Sequence, residues 1–389
     1  MKEKKSRNIP LLYAIYCLEG MVFYASIATL YRQAVGVSVF QITIIESISL
    51  VLSLILEIPW GVIADRIGYK KTLIICYVLF FVSKIIFWRA DGFGMFLVER
   101  IILSVVISGF SGVDVSMLYL SCDKDKFQKI CAVQSNFETA GVLFSTVIFT
   151  LFIKSNYRLA AFLTVITYGI AAFVSFFLVE VKNDEEEEKP NLKVFVRELK
   201  TALTNKYLMI FIFAGCCLAN VYQTGTVFLS QVKYISVGMT ESSIGVVYII
   251  MTALGMLGGF SHKITNKLGV LKTGVLMFAV SALACFTVAF TDSAVLSVIS
   301  VLAIYIAMYI YRPMGTNLEN KQITTDNRAT ALSINALITD SVAVMANLIF
   351  GKLADISLAG SFCFGGGLCV MGLMLFAVWY FMRGRAIKN

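Results

Sequence analysis

Gly61-Val-Ile-Ala-Asp65-Arg66-Ile-Gly68-Tyr-Lys70-Lys71-Thr-Leu73 is the stretch from which the fold can be read. Apolar blocks lie on either side of it, roughly residues 40–63 before and 72–90 after. Each is close to the ~20 residues that cross a hydrocarbon core of about 30 Å. Between them stand Asp65, Arg66, Lys70 and Lys71, with Gly61 and Gly68 flanking the turn. The glycines permit a tight reversal and close helix approach, and the cations anchor at the inner surface of a membrane. A short basic hairpin joining two membrane-spanning helices is the direct reading.

Working outward, the same rhythm fills the chain. Of 389 residues 58% are hydrophobic and 15% charged, where a soluble domain carries about a quarter charged. Apolar blocks recur at roughly 10–33, 40–63, 72–90, 93–119, 131–153, 157–181, 207–232, 240–261, 271–290, 293–318, 328–353 and 358–382, which predicts twelve spans. The basic segment Met1–Arg7 runs straight into the first block, without a small-residue cleavage site. It therefore reads as a retained helix rather than a signal peptide. With the N-terminus inside, the inner segments hold 24 Lys and Arg, and the outer loops hold five: Arg32, Arg89, Lys154, Arg158 and Lys233. That asymmetry predicts both termini in the cytoplasm, and it assigns the net charge of +9 to topology rather than to nucleic acid. A bacterial cytoplasmic membrane suits this pattern.

Near the centre the rhythm is interrupted. The acidic run Asp184–Glu188 is followed by Leu192, Phe195, Val196, Leu199 and Leu203 at helical spacing with cations between them. This predicts an amphipathic helix lying on the cytoplasmic face. The expected organisation is a six-helix bundle over 1–181, a linker over 182–206 and a second six-helix bundle over 207–389. The halves repeat: Lys129–Asn136 resembles Arg328–Asn335 at an offset of 199, and Gly61–Arg66 resembles Gly258–Lys263 at 197.

The hairpin also resembles the signature G-x-L-A-D-R-x-G-R-K of the major facilitator superfamily, with Tyr69 where the family has its second arginine. The resemblance extends over the whole chain in topology, repeat and central loop. It implies a twelve-helix, all-α membrane fold of two pseudo-symmetric bundles, working as a secondary transporter by alternating access. It further implies a gating latch of Gly61, Asp65, Arg66, Gly68 and Lys70, with Asp114 as partner. Phe96-Leu-Val-Glu99-Arg100 is similar to the opening of the family's fourth-span motif, whose arginine is linked to proton-coupled members. The glycine-proline pair of drug–proton antiporters is missing from span 5. Gly351-Lys-Leu-Ala-Asp355 echoes the hairpin on the opposite side and is read as a decoy.

Charged side chains within a span cost at least ~2.5 kcal/mol each, so they should face a cavity or a partner. Glu19 lies in span 1, Arg100 in span 4, Glu138 in span 5, Asn220 and Gln223 in span 7 and Asp340 in span 11. These are the candidates for proton coupling and substrate contact. A structural ion pair is the plain alternative for Glu19 with Arg100, and similarly for Glu138 and Asp340, and helix-to-helix polar pairing is the alternative for Asn220 and Gln223. Lys84 and Arg312 read as inter-helix or interfacial groups. The nine cysteines contain no CxxC and the single histidine, His262, lacks ligand companions, so neither metal nor disulfide is expected. Lacking a P-loop, the chain is expected to use no nucleotide or other cofactor. The expected activity is proton-coupled export of a small amphipathic compound by a monomer. Uptake of a polar or anionic metabolite is the rival within transport, and a transporter-like sensor without flux is the rival outside it. An enzyme is not expected.

Overall fold

The structure is a computed structural model describing residues 7–181, 192–323 and 328–386. Its described residues form helices and no strands. Six spans precede a linker helix: α1 Asn8–Ala34, α2 Val39–Ile67, α3 Tyr69–Arg89, α4 Phe93–Leu120, α5 Lys124–Ile153 and α6 Tyr157–Ser175. The linker helix is α7, Leu192–Thr204. Six more spans follow: α8 Lys206–Ser236, α9 Glu241–Leu268, α10 Val270–Phe290, α11 Ala294–Asn320, α12 Arg328–Ile356 and α13 Leu358–Ala386. Among the described residues, twelve helices are long and apolar enough to cross a membrane.

Burial is inverted relative to a soluble protein. Phe290 and Ile356 are 76% and 75% exposed, while Ser104, Thr164, Ser281 and Ser297 are fully buried. Large apolar side chains on the outside suit hydrocarbon, and small hydroxyls inside pair helices. Ser49 and Ser104 join α2 to α4 at 2.7 Å, and Ser108 donates to the Ser53 carbonyl at 2.9 Å.

The chain forms two compact units. Unit 1 contains 1–37, 48–187 and 241–249; unit 2 contains 38–47, 188–240 and 250–389. Each is anchored by a tight helix contact near the start of a span. In unit 1, Gly245 of α9 receives the Thr150 side chain, and Tyr157 Oη donates to Glu241 at 2.9 Å. In unit 2, Gly351 of α12 receives the Thr43 side chain, and Phe40 N–H donates to Asp355 at 3.3 Å. The start of α2 also carries a reciprocal cap, Ser38 with Gln41. The hairpin echo at Gly351–Asp355 thus has a structural role: it seats α2.

The internal repeat is explicit in the backbone, at an offset of 201–202. Gly36 and Gly238 both have φ +83°, and Gly68 and Gly269 have φ +89° and +81°. The helices after the second pair, α3 and α10, each run 21 residues. Their first turns repeat one bond, Thr72 Oγ1 to the Gly68 carbonyl and Thr273 Oγ1 to the Gly269 carbonyl, both 2.9 Å. This corrects the sequence alignment of the hairpin by four residues, about one helical turn. Asn266 and Lys267, not His262 and Lys263, are the counterparts of Asp65 and Arg66. In the same register Thr43 corresponds to Gly245, and Thr150 to Gly351. The two notches are one contact with threonine and glycine exchanged.

The linker helix is not simply laid on a membrane surface. Leu199 and Ala202 of α7 pack with Leu208 and Ile212 of α8 and with Ile334 and Ile338 of α12. Only Leu203 among the described apolar positions of α7 is strongly exposed. The side chains of Leu192, Phe195 and Val196, and the acidic run, lie outside the described residues.

Candidate transport site

In unit 1 the site begins with a broken helix. α1 is helical over Asn8–Gly20, irregular over 21–24, and helical again from Ala25. Irregular backbone at membrane depth must find partners within the protein. α6 supplies them. Thr164 Oγ1 accepts from Phe23 N–H at 3.1 Å, Thr167 Oγ1 donates to the Met21 carbonyl at 3.2 Å, and Tyr168 Oη donates to the Glu19 carbonyl at 2.7 Å. The break is therefore a built feature.

The break sits where α1 meets α5 backbone to backbone. A Cβ on Gly20 would overlap the Glu138 carbonyl oxygen, and one on Gly141 would overlap the Cys17 carbonyl oxygen. Two glycines on facing helices allow this approach. It brings Glu19 and Glu138, 119 positions apart in sequence, onto neighbouring turns. Glu138 is exposed on α5 and Glu19 is partly buried. Asp114 joins them from α4, which is itself broken at Ser111–Gly112, Gly112 having φ +77°. Tyr16 Oη donates to Asp114 at 3.3 Å. Glu138, Asp114 and Lys84 all lie within electrostatic range of Glu19. Among the described residues the Glu19 carboxylate has no ion pair, with Arg100 or any other cation. The structural-pair alternative for Glu19 and Arg100 is not what this structure contains.

Behind the acidic group lies a layer that the sequence reading undervalued. Lys84 of α3 is 6% exposed. Its ammonium donates to Tyr24 Oη at 3.2 Å and lies 4.8 Å from the Phe80 ring centre and 5.1 Å from that of Tyr168. Aromatic faces stabilise a desolvated cation. Glu99 of α4 is 1% exposed, with an oxygen lacking any hydrogen-bond partner. Arg100, its neighbour, is partly buried. Lys84 carried a signal, a cation inside a span; of its aromatic partners Phe80 lies one turn earlier on α3, while Tyr24 and Tyr168 come from α1 and α6 and left none.

The hairpin part of the latch runs from the end of α2 to the first turn of α3. Arg66 is exposed, and the Asp65 side chain and Gly61 surroundings lie outside the described residues. Gly68 and Lys70 meet a residue not singled out before, Glu180, just beyond α6. Lys70 N–H donates to Glu180 Oε1 at 3.2 Å, and a Cβ on Gly68 would lie 2.8 Å from Oε2. A carboxylate at the first turn of α3 satisfies an orphan N–H and complements the helix dipole.

Unit 2 is built differently. α8 opens into a π-helix over Val221–Leu229, within the span that corresponds to broken α1. Asn220 is buried and donates to the Cys216 carbonyl at 2.8 Å, while Gln223 is exposed. Thr224 Oγ1 donates to Asn347 of α12 at 2.8 Å. Tyr305 and Tyr309 of α11 stack at 4.5 Å, and Tyr222 lies 5.7 and 6.2 Å from their centres. Asp340 on α12 is partly buried. Among the described residues no group of three metal-ligating side chains occurs.

Twelve membrane-length helices, a two-fold sequence repeat and charged groups held at helix breaks define a multi-pass membrane transporter. The comparisons agree. The family model described as Major Facilitator Superfamily matches residues 11–347, and the chain belongs to that family. It is 21% identical over 357 residues to the uncharacterised MFS-type transporter YxaM of Bacillus subtilis (strain 168), covering 88% of each chain. It is 23% identical over 352 residues to the uncharacterised MFS-type transporter MJ1560 of Methanocaldococcus jannaschii, covering 87% of this chain and 88% of that one. Among solved structures, the nucleoside transporter NupG superposes with a TM-score of 0.77 at 14% identity, covering 97% of this chain and 98% of that one. A bacterial homologue of the human lysosomal transporter Spinster gives 0.73 at 16%, covering 99% and 98%. At these identities the structural likeness is one of fold. The chain is a transporter and not an enzyme.

Proposed function

We propose that this transporter couples proton movement to the export of small amphipathic compounds, with Glu19, Glu138 and Asp114 as its charge-binding group. The observation that carries the reading is their convergence at the α1 break, where among the described residues no cation is in ion-pair contact with Glu19 or Glu138. Unneutralised carboxylates inside a membrane-spanning bundle are costly. A proton or a substrate cation supplies the missing positive charge, and exchange between the two couples their movements. Arg100, Asp340, Asn220 and Gln223 complete the set proposed to contact solute. Gly61, Asp65, Arg66, Gly68 and Lys70, with Asp114 as partner, form the proposed latch, and Glu180 seats the hairpin. The sequence halves act as the two bundles of a monomer, both termini in the cytoplasm of a bacterial cell.

Uptake of an anion is less well supported, because Lys84 is enclosed by aromatic rings. Growth of a drug-hypersensitive bacterial host over a panel of toxic compounds tests the proposal. Wild-type protein should protect against at least one amphipathic cation. Glu19→Gln and Glu138→Gln should abolish protection at equal membrane abundance. Equal protection by both variants would sink the assignment.

A further inference from the structure

We propose that unit 2 carries a stacking site for a flat aromatic ring, formed by Tyr222, Tyr305 and Tyr309, which makes ring-bearing solutes the preferred cargo. This rests on the transport reading above and adds the chemical class of the solute.

Three independent features converge on these tyrosines. The first is the rings themselves. Tyr305 and Tyr309 lie 25° from parallel at 4.5 Å, and Tyr222 meets Tyr309 edge-on at 72° and Tyr305 at 48°. Tyr222 and Tyr309 both retain solvent exposure. A stacked pair with a third ring across it presents aromatic faces and edges together, the geometry that receives another flat ring. The second is backbone. Tyr222 belongs to the nine-residue π-helix of α8. Such π segments are rare, usually a single turn, and concentrate at functional sites. The next residue, Gln223, is an exposed amide inside a membrane-length helix, where a lipid-facing amide would be unsatisfied.

The third feature is room made by glycine. A Cβ on Gly255 of α9 would lie 3.0 Å from Tyr305 Oη and 3.1 Å from the Tyr309 ring, and one on Gly258 would lie 3.2 Å from the Tyr309 carbonyl oxygen. α9 therefore holds the stacked pair by direct backbone contact. Rings fixed in advance bind at a lower entropic cost than rings that must be ordered by the ligand. The residues involved are neutral, so recognition is by ring shape and hydrogen bonding.

Binding to the full-length protein in nanodiscs tests this, with ethidium and uncharged acridone as flat-ring probes and tetrabutylammonium as a ringless cation. Stacking is worth about 0.5–1.5 kcal/mol per ring pair, roughly a 2- to 13-fold change in affinity. Tyr309→Leu and Tyr222→Leu should each weaken both flat probes within that range, and Tyr309→Phe should not. Gly255→Val should reproduce the loss by displacing the pair, and tetrabutylammonium should bind all variants equally. Absence of flat-probe binding to wild-type protein overturns the proposal. So does unchanged binding in both leucine variants that elute as folded protein, or a matching loss of tetrabutylammonium, which would make the site a cation cage. The carboxylate assignment fails separately: Glu138→Gln would then transport normally while flat-probe binding still followed Tyr309.

Discussion

Replacing Gly141 by alanine tests whether the α1–α5 contact is as close as described. The added carbon would overlap the Cys17 carbonyl oxygen and lie 3.1 Å from the Cys17 carbonyl carbon and 3.2 Å from that of Gly20. All three are backbone atoms, so no side chain can swing aside and the helices must part. On the other face of the contact, Gly20 already sits where a Cβ would be 3.1 Å from both the Glu138 carbonyl carbon and the Val142 nitrogen. Relaxation in one direction is therefore blocked by the second glycine. Overpacking of this kind costs about 1–3 kcal/mol. Alanine recovers about 0.5–1 kcal/mol in a helix interior relative to glycine. The net expectation is a loss of up to about 2.5 kcal/mol, together with reduced transport, because Glu19 and Glu138 flank the contact. Gly367→Ala in α13 is the matched control. Nothing lies within 4 Å of its built Cβ, so only the propensity gain remains, and stability should hold or rise by up to about 1 kcal/mol. Reversible unfolding in mixed micelles, followed by the fluorescence of Trp60, Trp88 and Trp379, reads both. Equal stability of the two variants, or the opposite order, would refute the geometry.

Two further substitutions follow from the same physics. Asn8 is fully buried and completes the backbone of Val179, accepting its N–H at 2.8 Å and donating to its carbonyl at 2.9 Å, with Ser121 at 3.0 Å. Asn8→Leu should cost about 1–3 kcal/mol for each group left unpaired in the same unfolding assay, and a variant as stable as wild type would remove Asn8 from the structural core. At the start of α2, Gly351→Thr should abolish transport by clashing with Thr43. Thr43→Gly in the same chain should restore it, because the double variant recreates the Thr150–Gly245 arrangement of unit 1. Failure of the double variant to recover any transport would separate the two notches.

The spans, their number and the duplication were legible in the sequence because hydrocarbon thickness acts on local chain length. A helix must supply about 20 apolar residues whatever its neighbours do, and twelve blocks near 20 residues therefore became twelve helices. The glycine-flanked hairpin at Gly61–Lys70 was legible for a similar reason: turn formation and interfacial charge are properties of a few consecutive residues. Register between helices is not. The hairpin repeat shifted by one helical turn, because 197 and 201 place similar residue types together while only 201 places Gly68 and Gly269 in the same backbone conformation.

The candidate site divides along the same line. Polarity inside a span marked Glu19, Glu138, Asp340 and Gln223, since a charge or amide in hydrocarbon stands out in any window. Nothing local marked Glu180 as the cap of α3, Thr164 and Thr167 as the partners of broken α1, or Tyr305 and Tyr309 as the companions of Tyr222. Those roles depend on helix rotation and on how closely two backbones approach. In this protein glycines at 20, 141, 245, 255 and 351 set that approach, and only the packed tertiary structure shows which glycine faces which helix.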